Sequence, residues 1–201
     1  MGLVRPICKG AILVLVLVLG AVAVASAQPG SARRGSWCIG SRLRPHPGDL
    51  TRIRAATLCL INRERVRHGE APLRLNRHLA LAAQRHSASM ARFRYFAHAG
   101  PAGETPLARI RAAGYLGRAR TYAVGENIAW GTLRLSTPQA IVAAWMASPG
   151  HRANILDRRF RDTAVGVAIV SVRGSRHAQL GGVYTEDFGA RGGRGRSEHS
   201  S

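Results

Sequence analysis

The sequence predicts an α+β domain, a mostly antiparallel sheet covered by helices. Three observations carry that expectation. Four stretches between residues 49 and 145 repeat apolar side chains at helical spacing behind recognisable caps. Two β-branched runs near the C-terminal end are parted by Gly174-Ser175, as in a hairpin. A chain of 201 residues, 46% apolar, holds enough for one core and too little for an eightfold β/α barrel. Helices first and a hairpin last place a sheet beneath helices.

The elements follow in order. Arg5 and Lys9 precede an apolar run from Ala11 to Ala25, and Ala25-Ser26-Ala27 is a small-x-small cleavage pattern. Residues 1–27 therefore read as a secretory signal. Fifteen residues of helix reach about 22 Å, short of a hydrocarbon core of roughly 30 Å, so no transmembrane span is expected in the mature chain. Residues 28–48, with Pro29, Pro45 and Pro47, read as a linker or arm. A domain over 49–189 starts at Asp49 as N-cap, with Ile53, Ala56, Leu60 and Ile61 on one stripe and Gly69 as the stop. Asn76 caps a second helix carrying Leu79, Ala82, Ala83, His86, Met90 and Phe93. Thr105-Pro106 opens a short third helix that ends before Gly114. Ser136/Thr137-Pro138 opens a fourth, with Ser136 and Gln139 spaced as a capping box and Ile141, Ala144 and Trp145 on its apolar side. Val124–Trp130, Ala164–Val172 and Leu180–Phe188 read as strands, and residues 190–201 as a disordered tail.

Charge and cysteine narrow the function classes. Lys+Arg number 30 against 10 Asp+Glu, and every basic residue but Lys9 is arginine. Lysine-based Schiff-base or P-loop chemistry is thereby excluded downstream of residue 9. Loss of residues 1–27 removes Arg5 and Lys9 and lowers the formal charge from +20 to +18. It also removes Cys8, leaving Cys38 and Cys59, which in an oxidising compartment read as one disulfide. A two-cysteine metal site lacks further ligands at finger spacing.

Several strings stand in a particular order: Leu60-Ile61-Asn62-Arg63-Glu64-Arg65; His86-Ser87 with Met90-Ala91; Tyr95-Phe96-Ala97-His98; Gly125-Glu126-Asn127-Ile128-Ala129; Trp145 through Ser148-Pro149-Gly150-His151-Arg152-Ala153-Asn154; and Tyr184-Thr185-Glu186-Asp187-Phe188-Gly189. Over about residues 50–189 this closely resembles the bacterial, SCP-like branch of the CAP superfamily of cysteine-rich secretory, antigen 5 and pathogenesis-related-1 proteins. The resemblance implies a three-layer α-β-α sandwich with a cleft holding two His and two Glu. It carries three of them onto His98, Glu126 and His151. The second glutamate position, three residues after Trp145, is Ser148 here.

Two imidazoles and a carboxylate from separate elements suit an open Zn2+ site, or, with nothing bound, a hydrogen-bonded His–Glu–His cluster that orders the cleft. Acid/base hydrolysis needs Glu126 raised by burial with His98 or His151 as acid, or a metal to assist it. No Gly-x-Ser-x-Gly elbow supports a nucleophile at Ser87 or Ser148. His86 and Trp145 read as core residues. The expected protein is thus an exported, cell-envelope-associated monomer, a binding module rather than an enzyme. Its arginines favour anionic envelope polymers or lipid head groups. Aromatic residues at 5% give no nucleic-acid pattern. The resemblance also admits lipid binding as an alternative.

Overall fold

The computed structural model describes residues 38–173 and 178–194. The expected signal, residues 28–37 of the expected arm, the Gly174-Ser175 turn and residues 195–201 lie outside the described residues.

The described chain begins at Cys38, whose sulfur bonds that of Cys59 across 5.7 Å between Cα atoms. A 3-10 turn, Pro47–Asp49, leads into helix α1, Leu50–Arg67. Asp49 holds the N-cap position, but its side chain makes no capping bond and instead pairs with Arg52 at 3.0 Å. The preceding turn already gives Asp49 a helical backbone, whereas a side-chain cap needs an extended one. A two-residue strand β1, Arg74–Leu75, precedes helix α2, Arg77–Phe93, which Asn76 caps by accepting from the His78 and Leu79 amides. Helix α3, Pro106–Ala112, is capped by Thr105 accepting from Ala108.

Strand β2 runs from Ala119 to Thr132, well beyond Val124–Trp130 at both ends. Helix α4, Pro138–Ala147, departs from the expected capping box. Leu133–Ser136 forms a 3-10 turn that takes the Ser136 hydroxyl onto the Leu133 carbonyl, so Thr137 caps by accepting from Ala140. Gln139 accepts from the Arg42 guanidinium instead. After Ser148 a separate helix α5, Pro149–Leu156, starts at its proline. Strands β3, Asp162–Arg173, and β4, Ala178–Arg194, complete the chain; β4 continues past Gly189, where the tail was expected.

The architecture is α+β, with sheet order β1-β3-β4-β2. The three long strands are antiparallel, and β1 pairs parallel with the start of β3, which makes the sheet mixed. Alternation sends Val165, Val167, Tyr184 and Phe188 to one face, where Ile53, Ile61, Ile141, Trp145 and Ile155 of α1, α4 and α5 pack on them. On the other face Ala164 meets Leu79, Ala82 and Ile110 of α2 and α3, and Val183 meets Met90. Helix α2 lies so close to β3 that a Cβ at Gly166 would collide with the Ala83 carbonyl.

Side chains also engage the outer backbone of the sheet. The Gln84 amide donates to the Val167 carbonyl at 3.0 Å and accepts from the Val167 amide at 3.1 Å. Trp145 Nε1 donates to the Ile128 carbonyl at 3.1 Å, and Asn154 Nδ2 to the Glu126 carbonyl at 3.2 Å. The last two of these bonds fix the stretch of β2 that carries Glu126.

Candidate cleft with a buried acid cluster

Glu126 and Asn127 point to opposite faces of β2. In cross-strand register Glu126 stands opposite Asp187, and Asn127 opposite Glu186. On the α2 side, Glu126 is held from two directions. His98 Nδ1 donates to Oε1 at 2.7 Å, and the Arg109 guanidinium donates to Oε2 at 2.6 Å. The Glu126 side chain is 1% exposed and that of His98 52%, so the imidazole forms the solvent-facing part of the pair.

The loop carrying His98 is anchored at several points. Helix α2 ends at Arg94, a left-handed residue with φ of 56°. His86 Nε2 donates to the Ala97 carbonyl at 3.0 Å, which places its proton on that nitrogen. Arg109 donates to the carbonyls of His98 and Glu104 at 2.9 and 2.7 Å while it pairs with Glu126. One guanidinium thus joins α3, the His98 loop and β2. His86 is buried, as its place on the apolar stripe predicts, and it also stands 3.9 Å from Glu126 Oε1.

His151 enters from the first turn of α5, with Nδ1 2.8 Å from the Ser148 hydroxyl. Asn127 Nδ2 donates to the His151 carbonyl at 3.2 Å, and Asn154 Nδ2 donates to Asn127 Oδ1 at 2.9 Å. Burial holds the His151 imidazole below the ordinary histidine range, and His98 lowers it further through electrostatic repulsion. His86 is lowered in the same direction by burial, opposed by Glu126.

Ser148 does not carry a second acid, but Asp187 stands beside Glu126. Burial raises its carboxyl well above the usual range, the neighbouring Glu126 charge raises it further, and Arg109 opposes both. Both Asp187 side-chain oxygens are buried without a hydrogen-bond donor. A carboxyl that keeps its proton can donate to Glu126, whereas two carboxylates could only repel. On the opposite face Glu186 is likewise raised by burial, despite bonds from Thr163 and Asn127. Sequence reasoning missed Asp187 and Arg109. The signal for Asp187 was present, since Thr185-Glu186-Asp187 sets two adjacent acids inside an apolar strand, one for each face. Arg109 carries no such mark among the other arginines.

The donor set offers Zn2+ few free ligands. Both Glu126 oxygens are engaged, one of them by a guanidinium, which leaves two imidazoles where an open zinc site takes three protein ligands. Among the described residues no group of three or more His, Cys, Asp and Glu side chains is arranged to hold a metal ion. As arranged, the residues do not fit the metal.

The family model of the Cysteine-rich secretory protein family, CAP, matches residues 58–185. The chain belongs to that family. It is 30% identical over 142 residues to the Bacillus subtilis protein YkwD, across 71% of this chain and 49% of YkwD. It is similar, at 28% identity and a TM-score of 0.54, to a Bacillus anthracis extracellular protein containing an SCP domain, across 72% of this chain and 43% of that one. A Borrelia burgdorferi outer surface protein shares the fold at 19% identity and a TM-score of 0.52, covering 67% of this chain and 90% of its own. The chain therefore spans about half the length of YkwD. Among the described residues of this CAP domain, no helix is long and apolar enough to cross a membrane.

Proposed function

We propose that this CAP-domain chain is exported and acts at the cell envelope as a binding module for anionic polymers. The observation that carries the reading is how the few acids are disposed. Asp49, Glu64, Glu126 and Asp157 are paired with Arg52, Arg67, Arg109 and Arg159. Glu186 and Asp187 are fully buried. Little negative charge is left outside to offset the arginines of a chain with formal charge +20, and planar guanidinium forks suit phosphate and carboxylate. The extracellular and outer-surface relatives support export. A binding role is favoured over acid/base hydrolysis because Glu126 is 1% exposed with both oxygens engaged, so neither is free to take a proton from a substrate water.

The test is retention on immobilised polyphosphate. The protein binds at about 0.1 M salt, where charges are felt over roughly 10 Å, and elutes by about 1 M, where their reach is roughly 3 Å. Retention unchanged by salt, or none at low salt, overturns the reading.

A second reading, lipid binding, is favoured by one further observation. A groove of about 800 Å³ lies beyond the C-terminal end of α2, lined by Met90, Tyr95, Phe96, Trp130, Val170 and Val183, with Arg92 and Arg94 on its wall. Its volume is in the range of ligand pockets, roughly 300–1,000 Å³. Trp130 is 54% exposed, so an acyl chain seated there shifts tryptophan emission. A Trp130→Phe protein that gives the same shift sinks this reading.

A further inference from the structure

The geometry points to Arg109 as the resident cation of the cleft: we infer that its guanidinium stands in the place beside Glu126 that a divalent metal would need, and so closes the His98–Glu126–His151 set to zinc. The inference concerns the cleft alone and does not rest on polymer binding at the surface.

Four observations carry it. Arg109 reaches Glu126 Oε2 at 2.6 Å, a charge-assisted bond that consumes the oxygen a metal would bind. The other oxygen is taken by His98 Nδ1 at 2.7 Å. The guanidinium is fixed rather than mobile, since the same side chain donates to the Glu104 and His98 carbonyls at 2.7 and 2.9 Å and is only 12% exposed. Finally, the pair is buried, so its attraction is screened little by salt. A divalent cation arriving at the exposed His98 ring would meet a fixed positive charge and no free carboxylate. His98 and His151 remain as hydrogen-bonding rings beside it.

Replacing the cation by a neutral side chain releases Glu126 and removes the repulsion, so zinc binding becomes a gained property. The experiment titrates Zn2+ against a chromophoric competitor chelator with wild type, Arg109→Gln, Arg109→Lys and the double variant Arg109→Gln/His98→Ala. Arg109→Gln takes up one zinc at least tenfold more tightly than wild type, Arg109→Lys stays with wild type because the charge is kept, and the double variant loses the gain. Equal affinity in wild type and Arg109→Gln overturns the inference. So does stoichiometric zinc uptake by wild type that His98→Ala abolishes, and this measurement stands even where Arg109→Gln does not fold. Thermal unfolding with and without zinc gives a second readout: zinc raises the midpoint of Arg109→Gln and leaves that of wild type unmoved. A zinc-dependent rise in wild type contradicts the assignment.

Discussion

Substituting Asp187→Asn should remove a pH-dependent loss of stability. Asp187 is fully buried, and its carboxyl is raised by that burial, by Glu126 in register across the ladder and by Glu186 next to it. In the unfolded chain the same group ionises near pH 3.9. Between that value and the raised one, the folded protein holds a proton that the unfolded chain has released. Its contribution is complete below the unfolded value and is lost as pH rises, at about 1.4 kcal/mol per pH unit while the difference lasts. From pH 6.5 to 8.5 the loss reaches at most about 2.7 kcal/mol from this group, roughly 5–11 °C in Tm for a domain of this size. Glu186, raised in the same direction, adds a slope of the same sign. His86 and His151 are lowered, so they cost stability only as pH falls below about 6.5. The measurement therefore runs upward from pH 6.5. Thermal unfolding of wild type, Asp187→Asn and Glu186→Gln at three pH values is sufficient. The amide cannot ionise and donates to Glu126, so Asp187→Asn loses part of the slope and gains most at pH 8.5. Parallel curves for wild type and Asp187→Asn, or a wild type whose Tm rises with pH, refute the reasoning.

Three further outcomes follow from the packing. Replacing Cys38 and Cys59 by Ala frees a loop with a sequence separation of 21 in the unfolded chain. Loop-closure entropy sets the cost at about 3.4 kcal/mol, visible as a drop of roughly 7–14 °C in Tm that a reductant reproduces in wild type. Trp145→Phe deprives the Ile128 carbonyl of its donor and leaves a small void, costing about 2–4 kcal/mol in urea unfolding with little change in m. Arg65 is fully buried and donates to the carbonyls of Ala71, Ile155 and Asp157, so Arg65→Met orphans three acceptors and destabilises by about 3–5 kcal/mol, measured in the same way.

The fold class was legible because its signals are local. Asn76, Thr105 and Thr137-Pro138 satisfy helix ends whatever lies beyond them, and the β-branched run of β3 declares itself. The parts that escaped depend on distant partners. Strand β1 is two residues long and exists because Arg74 and Leu75 find Asp162 and Thr163 across the chain. Helix α5 follows α4 after a single residue, so the two merge in any reading by periodicity. In the cleft, His98, Glu126 and His151 were marked by their flanking strings. The pairing of Asp187 with Glu126 depends on strand register, and that of Arg109 on the loop it clamps. Neither can be counted off a linear spacing.

The Gln84 amide bonded to both backbone groups of Val167 has a consequence for the behaviour of this chain in a crowded medium. A rim strand normally offers a ladder to any extended polypeptide that drifts past, which is how sheets recruit copies of themselves. Here a carboxamide imitates one rung of the absent neighbour on β3, while an indole and an asparagine do the same for carbonyls on β2. Each occupied rung denies a foothold to self-assembly at the middle of the strand.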